Sequence, residues 1–340
     1  YLDKCIKLDK SYLSSYNNKS LCEYHIGNIK NAIDILKTIY KNNKNIIMNS
    51  EVENLIKYYF DLEQYNQIKD ILNSDKQYYK NFKNRIYLAL IFYINGNYKK
   101  FNEIIIINNQ NIKNIDKTDD VRFVIPYNNL LNILSKYIIF DNQPYSDIIY
   151  HIGDSHSLST TNKYIEIKNK TYKFQTKLII GCKAWHLNNM NHLNNYKTNF
   201  INKVNYILQN KQSKYIIISV GEIDCRSNEG ILVYHNKSGK SIEDIIVNTV
   251  KNYVEFLTSL FKKNNNLHIF LCNVPYPKNR DDKIIQIIDL FNKTLDFYIS
   301  NTSFKLLDIH SLTRKDNLFY IDNHHLSFDI YKKALLYSLN

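Results

Sequence analysis

From residue 147 onward the chain alternates short apolar runs with stretches of helical period, and this alternation most constrains what it can fold into. Strand-like runs lie at 147–152, Tyr164–Ile167, Lys177–Ile180, Tyr215–Val220, Leu267–Asn273 and Lys305–Ile309. Helical stretches lie at Ile242–Lys263, Asp282–Ser300 and Phe328–Leu339. Apolar strands separated by helices call for burial on both faces, which a parallel sheet between two helical layers supplies. The predicted class is α/β, with this domain spanning residues 146–340. In open sheets of this kind ligand sites gather beyond the carboxyl ends of the strands. Ser155, Gly181, Asp224 and the segment before the last helix all fall there, and Pro275 and Pro277 shape the mouth of the same rim.

Residues 1–140 carry a different period. Tyr24, Phe60 and Tyr93 each precede by three residues Gly27, Glu63 and Gly96, then Ile29, Tyr65 and Tyr98, then Ala32, Ile68 and Phe101, in steps of 36 and 33 residues. Ile35 and Leu36, Ile71 and Leu72, and Ile104 and Ile105 extend one helical face in each unit. An aromatic, a small residue and a second aromatic repeating near 34 residues resembles the tetratricopeptide repeat, although the alanine persists only at Ala32. The resemblance implies an all-α helical-repeat domain with a concave surface for a protein partner. Tyr1–Lys10 reads as the second helix of a further unit, which predicts that the native product extends upstream of Tyr1. A helix over 124–139 and a linker at Asn142-Gln143-Pro144 close the region.

Gly153-Asp154-Ser155-His156 follows the apolar run Ile148–Ile152, which presents a serine hydroxyl just past a buried strand. Serine needs an imidazole to take its proton and an acid to orient that imidazole. Asp322-Asn323-His324-His325 offers both in D-x-x-H spacing, with Asp322 as the acid and His325 as the base. A turn after a strand and a polar loop capping the last helix are the plain structural readings of the same residues.

In order and spacing these blocks resemble the SGNH, or GDSL-type, hydrolase family. The matches are GDSH at 153–156, a glycine block at Ile179-Ile180-Gly181-Cys182, Gly221-Glu222-Ile223-Asp224, and DNHH at 322–325, covering residues 146–340. The resemblance implies a flavodoxin-like three-layer parallel sheet and a Ser155–Asp322–His325 triad. It implies an oxyanion hole with arms from the N–H groups of Ser155 and Gly181. Ile223 stands where the family has an asparagine donor, and loss of such a donor typically costs about 10²–10³ in rate. Arg226 and Asn228 are candidates to replace it. GEIDCR resembles a variant third block of GDSH-bearing relatives, while Glu222, Asp224 and Arg226 also read as a local ion-pair cluster. His324 reads as a surface or substrate-facing residue and His151 as a packed one.

The implied activity is that of a serine esterase or acyl-transfer enzyme for small O-acyl esters, often of carbohydrate, with no metal or organic cofactor. Trp185 and nearby tyrosines are suited to stack on a sugar ring. The alternative is a non-catalytic scaffold that works through its repeats. His156, His186, His192, His324 and His325 are numerous, yet no C-x-x-C or H-E-x-x-H pattern organises them for zinc, and no phosphate-binding glycine loop is present. The net charge of +13 is spread among asparagines, in keeping with a codon bias toward Lys, Asn, Ile and Tyr, so a nucleic-acid partner is disfavoured. Five widely spaced cysteines read as free thiols and point to a reducing, cytoplasmic setting. No run of 18 apolar residues signals a membrane span.

Overall fold

The computed structural model describes residues 1–42, 49–74, 76–112, 121–138, 143–188, 193–210, 213–264, 266–278 and 281–339. Asn142 of the expected linker, Ile139 and His192 lie outside them. Contacts divide the chain into two units, Tyr1–Ile138 with His192–Asn199, and Ile139–Asn191 with Phe200–Asn340.

The first unit is helical: α1 Leu2–Leu8, α2 Leu13–His25, α3 Ile29–Asn42, α4 Asn49–Asp61, α5 Tyr65–Ser74, α6 Lys76–Lys80, α7 Phe82–Ile94, α8 Tyr98–Asn111 and α9 Val121–Ser135. Helix α9 begins three residues before the stretch read from sequence. The joints α2–α3, α4–α5 and α7–α8 share one turn. Gly27, Glu63 and Gly96 occupy the left-handed region, with φ of 90°, 56° and 71°. At each joint the N–H of that residue bonds back three residues and the next N–H bonds back five: Gly27 to Tyr24 and Asn28 to Glu23, Glu63 to Phe60 and Gln64 to Tyr59, Gly96 to Tyr93 and Asn97 to Phe92. This is the Schellman arrangement, which satisfies the last carbonyls of the first helix and starts the second. Ala32, Ile68 and Phe101 are fully buried in the second helices. In α3 the buried face runs through Ile29, Ile33 and Leu36, with Ile35 half-buried.

The second unit runs β1 Asp147–Gly153, a 3-10 turn Ser155–Thr160, β2 Tyr164–Ile167, β3 Lys170–Leu178, a 3-10 turn Ala184–His186, the part of α10 Asn195–Gln209 from Phe200 onward, and β4 Ser213–Ser219. It continues with a 3-10 turn Ile223–Cys225, α11 Gly230–Ser238, α12 Ile242–Phe261, β5 His268–Cys272, α13 Asp282–Ile299, β6 Lys305–Leu307, α14 Ile309–Lys315 and α15 Phe328–Leu339. The sheet order is β2-β3-β1-β4-β5-β6. Its five parallel strands, β3-β1-β4-β5-β6, have the flavodoxin order 2-1-3-4-5, with the switch point between β1 and β4.

The sheet is mixed rather than wholly parallel, because β2 pairs antiparallel with β3. Lys168 and Asn169, at φ 49° and 62°, make a two-residue hairpin turn that no glycine announces. Strand β3 begins at Lys170, and Ile179 and Ile180 lie beyond it, which corrects the strand read at Lys177–Ile180. Its first half alternates polar outward and apolar inward, as a strand near a sheet edge does, so only its buried end stood out.

One face of the sheet packs Ile149, Ile217, Phe270 and Leu307 against Ile330, Tyr331, Ala334 and Leu335 of α15. On the other face Tyr150 meets Tyr206 of α10, whose Phe200 packs on Phe256 of α12. All five cysteines are unpaired. Among the described residues no helix is long and apolar enough to cross a membrane.

Candidate active site

Strand register sets the site. Gly153 at the end of β1 pairs with Leu178 of β3 on one side and Ser219 of β4 on the other. Three residues past these partners come His156, Gly181 and Glu222, so three polar segments separated widely in sequence arrive at one rim. Asp154 caps the first 3-10 turn: its Oδ1 accepts from the His156 N–H at 3.0 Å and its carbonyl from the Ser157 N–H at 3.1 Å. Ser155 opens that turn half-buried, and a first-position N–H has no acceptor inside the turn. Gly181 lies three residues beyond β3 at φ 70°.

The segment before α15 brings its acid and base to this serine. Ser155 Oγ is 2.9 Å from His325 Nε2, and His325 Nδ1 is 2.7 Å from Asp322 Oδ2. Asp322 Oδ1 accepts the backbone N–H groups of His324 at 2.7 Å and His325 at 2.6 Å, which fixes the acid within its own turn. Burial works against ionising Asp322, but the His325 ring and these N–H donors outweigh it and hold the carboxyl well below its ordinary range. A carboxylate only accepts, so Nδ1 carries the proton and Nε2 is left to accept the one on Ser155.

Beside this chain lies a second cluster. The Arg226 Nε donates to Glu222 Oε1 and Oε2 at 3.0 and 2.9 Å, and Nη2 reaches Oε2 at 2.6 Å. Glu222 Oε2 is 3.6 Å from Nε2 of the buried His156, whose ring centroid stands 5.1 Å from that of His325. Burial disfavours the Glu222 carboxylate, yet His156 and Arg226 together hold its pKa far below the usual range. Asp224 does not join the cluster. It is 1% exposed and accepts the N–H groups of Ala184 at 2.7 Å and Trp185 at 3.1 Å, tying down the loop that follows Gly181. Burial, opposed by those two bonds, pushes its carboxyl up to about 7. Ile223 is buried within its 3-10 turn, and Asn228 is exposed.

Glu222, Arg226, Asn228, Pro275, Pro277 and His324 line a common open cleft of about 310 Å³. Trp185 is 47% exposed and packs on Tyr234 with ring centroids 5.1 Å apart. His151 is buried between Thr160 Oγ1 at 2.9 Å and Ser219 Oγ at 2.8 Å, and burial drives its pKa down to about 3. His186 accepts the Lys183 N–H at 3.2 Å and is held near 4 by burial. Among the described residues no three His, Cys, Asp or Glu side chains group to hold a metal ion. Sequence spacing alone does not pair His156 with Glu222; the signal for it is an ionisable residue three positions past each of two adjacent strand ends.

Neither a protein-family model nor a curated protein matches the chain. Among solved structures it is similar to a lipase from a goat rumen metagenome, at 16% identity and a TM-score of 0.42, over 56% of this chain and 97% of that one. It is also similar to a member of the lipolytic G-D-S-L family from Veillonella parvula, at 13% identity and 0.35, over 56% and 96%. A third is the C-terminal catalytic domain of peptidoglycan O-acetyltransferase A from Streptococcus pneumoniae, at 14% and 0.33, over 58% and 94%.

Proposed function

We propose that the chain is a serine-dependent esterase or acyl-transfer enzyme acting on small O-acyl esters, acetyl esters of carbohydrate foremost. The observation that carries this reading is the continuous hydrogen-bonded line Ser155 Oγ–His325 Nε2, His325 Nδ1–Asp322 Oδ2, at the strand-end rim of the sheet. His325 takes the Ser155 proton as Oγ attacks the ester carbonyl carbon, and Asp322 stabilises the imidazolium that forms. The N–H groups of Ser155 and Gly181 serve the oxyanion. Collapse breaks the ester C–O bond, His325 protonates the departing alcohol, and an acyl-serine remains. Water or a sugar hydroxyl then attacks that acyl group by the reverse proton path, giving hydrolysis or transfer. The exposed Trp185 ring, packed on the half-buried Tyr234, favours a sugar, since aromatic faces stack on apolar ring faces. The helical unit acts as a recruitment module for a protein partner.

The test is labelling with a fluorophosphonate probe and turnover of p-nitrophenyl acetate, on wild type and Ser155→Ala. Labelling and turnover in the wild type, both lost in the variant, are the expected result. Folded wild type that neither labels nor exceeds the variant in turnover would leave the chain a scaffold.

A further inference from the structure

Attack by Ser155 places a negative charge on the substrate oxygen, and position 223 offers an aliphatic side chain buried in its own turn. Two backbone N–H groups remain for that charge, which leaves room for an electrostatic contribution from the residues around them.

Taking the serine-esterase reading as its basis, we infer that His156, held by Glu222 and Arg226, supplies the positive charge that offsets the oxyanion in place of a donor at 223. His156 directly follows the reacting serine, and its ring lies against the His325 ring at 5.1 Å and 40°. Its side chain is 4% exposed, and its Nε2 is buried with no hydrogen-bond partner. A histidine that served packing alone would bond that nitrogen, as buried polar groups nearly always do. Here the nitrogen instead looks toward Glu222 at 3.6 Å, a distance suited to charge attraction rather than to a hydrogen bond. Arg226 grips both Glu222 oxygens, which holds the carboxylate in one orientation and keeps it ionised.

The charged and titratable groups facing His156 come from every surrounding segment: His151 and Asp154 from β1 and its end, Glu222 and Arg226 from the segment after β4, and His325 from the segment before α15. Burial works against the imidazolium, and Arg226 does too, but Glu222 and Asp154 together outweigh them and raise the His156 pKa above its ordinary 6.5. Charge–charge interactions at this range strengthen as the groups are buried, and the His156 side chain is 4% exposed. Glu222 and Arg226 are positioning residues, acting through His156. The β1–β4 ladder ends at Gly153 and Ser219, and the segments that leave it bring His156 within 3.6 Å of Glu222, so two variant motifs far apart in sequence are halves of one device.

The experiment uses the full chain, with p-nitrophenyl acetate turnover followed from pH 5 to 9 in wild type, His156→Gln and Glu222→Gln. His156→Gln puts a neutral polar amide of similar size in place of the imidazole and removes the charge. Its kcat is expected to fall about 10²–10³-fold, with KM changed by less than about threefold. In the wild type a limb of falling activity marks loss of the His156 proton above its raised pKa. Glu222→Gln removes the carboxylate that raises it and moves the limb to lower pH, a response that a purely structural role would not give. If His156→Gln fails to fold by circular dichroism, the Glu222→Gln limb alone decides. A wild-type limb unmoved by Glu222→Gln, or a folded His156→Gln within about threefold of wild-type kcat, overturns the inference while the esterase reading stands. A folded wild type with no turnover and no fluorophosphonate label removes the esterase reading, and this inference with it.

Discussion

Gly153 stands against Ser219 across the β1–β4 ladder with no room for a methyl group: a Cβ on Gly153 would lie 2.3 Å from the Ser219 hydroxyl and 2.5 Å from its carbonyl oxygen. The carbonyl is backbone and cannot rotate away. Gly153→Ala therefore has to push β1 from β4 just where Ser155 and Glu222 are launched. The expected cost is about 1–3 kcal/mol in urea unfolding, with a loss of any p-nitrophenyl acetate turnover larger than stability alone explains. An unchanged midpoint would show that the two strands slide apart freely.

Asp224 gives a pH prediction. Burial raises its carboxyl to about 7 against the ordinary 3.8, even though two backbone N–H groups oppose the shift. The folded state thus keeps a proton that the unfolded chain has lost between those values. This contribution is fully present below pH 3.8 and disappears as pH rises through 7. Asp224→Asn has no such proton, and its amide accepts only one of the two N–H groups, so at pH 5 it should be less stable by about 1–2 kcal/mol. By pH 8 the gap should narrow. Urea melts of both proteins at the two pH values read this directly, and a gap that widens with pH contradicts it.

Much of this was legible in the sequence, for identifiable reasons. Parallel central strands such as β4 and β5 are buried on both faces and read as unbroken apolar runs. The Ser155, Asp322 and His325 positions stood out because strand-end and D-x-x-H spacing are local. Helix α10, rich in asparagine, has too little apolar content overall to stand out from a polar loop, and α11 is short with a single fully buried residue, Ile231. The β2–β3 hairpin hid behind a Lys168-Asn169 turn. What sequence could not give was pairing at a distance: His156 meets Glu222 only because β1 and β4 are neighbours with Gly153 opposite Ser219. Likewise Asp224 reaches Ala184 and Trp185 across some forty residues.

Glu63 occupies in the middle helical repeat the left-handed turn that Gly27 and Gly96 fill in the others, at φ 56°. A side chain with a Cβ pays about 1–2 kcal/mol to sit there, and glycine does not, although glycine loses more freedom on folding. Glu63→Gly should raise the stability of the helical unit by up to about 1 kcal/mol. Thermal unfolding followed at 222 nm checks this. A drop of comparable size would mean that the Glu63 carboxylate does more for the fold than its backbone strain takes away.

Ile223 separates the family analogy from the structure. By the analogy, Ile223→Asn restores an oxyanion donor and should speed turnover. The structure says otherwise: Ile223 is 6% exposed, within the 3-10 turn that also carries Asp224 and Cys225, so an asparagine there would bury an amide. That burial costs about 1–3 kcal/mol when its hydrogen bonds are not met. The same turn directs Asp224 to the loop after Gly181, so loosening it also disturbs that segment of the rim. The expected result is a less stable protein whose kcat on p-nitrophenyl acetate is unchanged or lower, measured beside urea unfolding of the same samples. A gain in kcat of about tenfold or more would mean that the side chain at 223 can turn to the oxyanion, and that His156 is not its substitute.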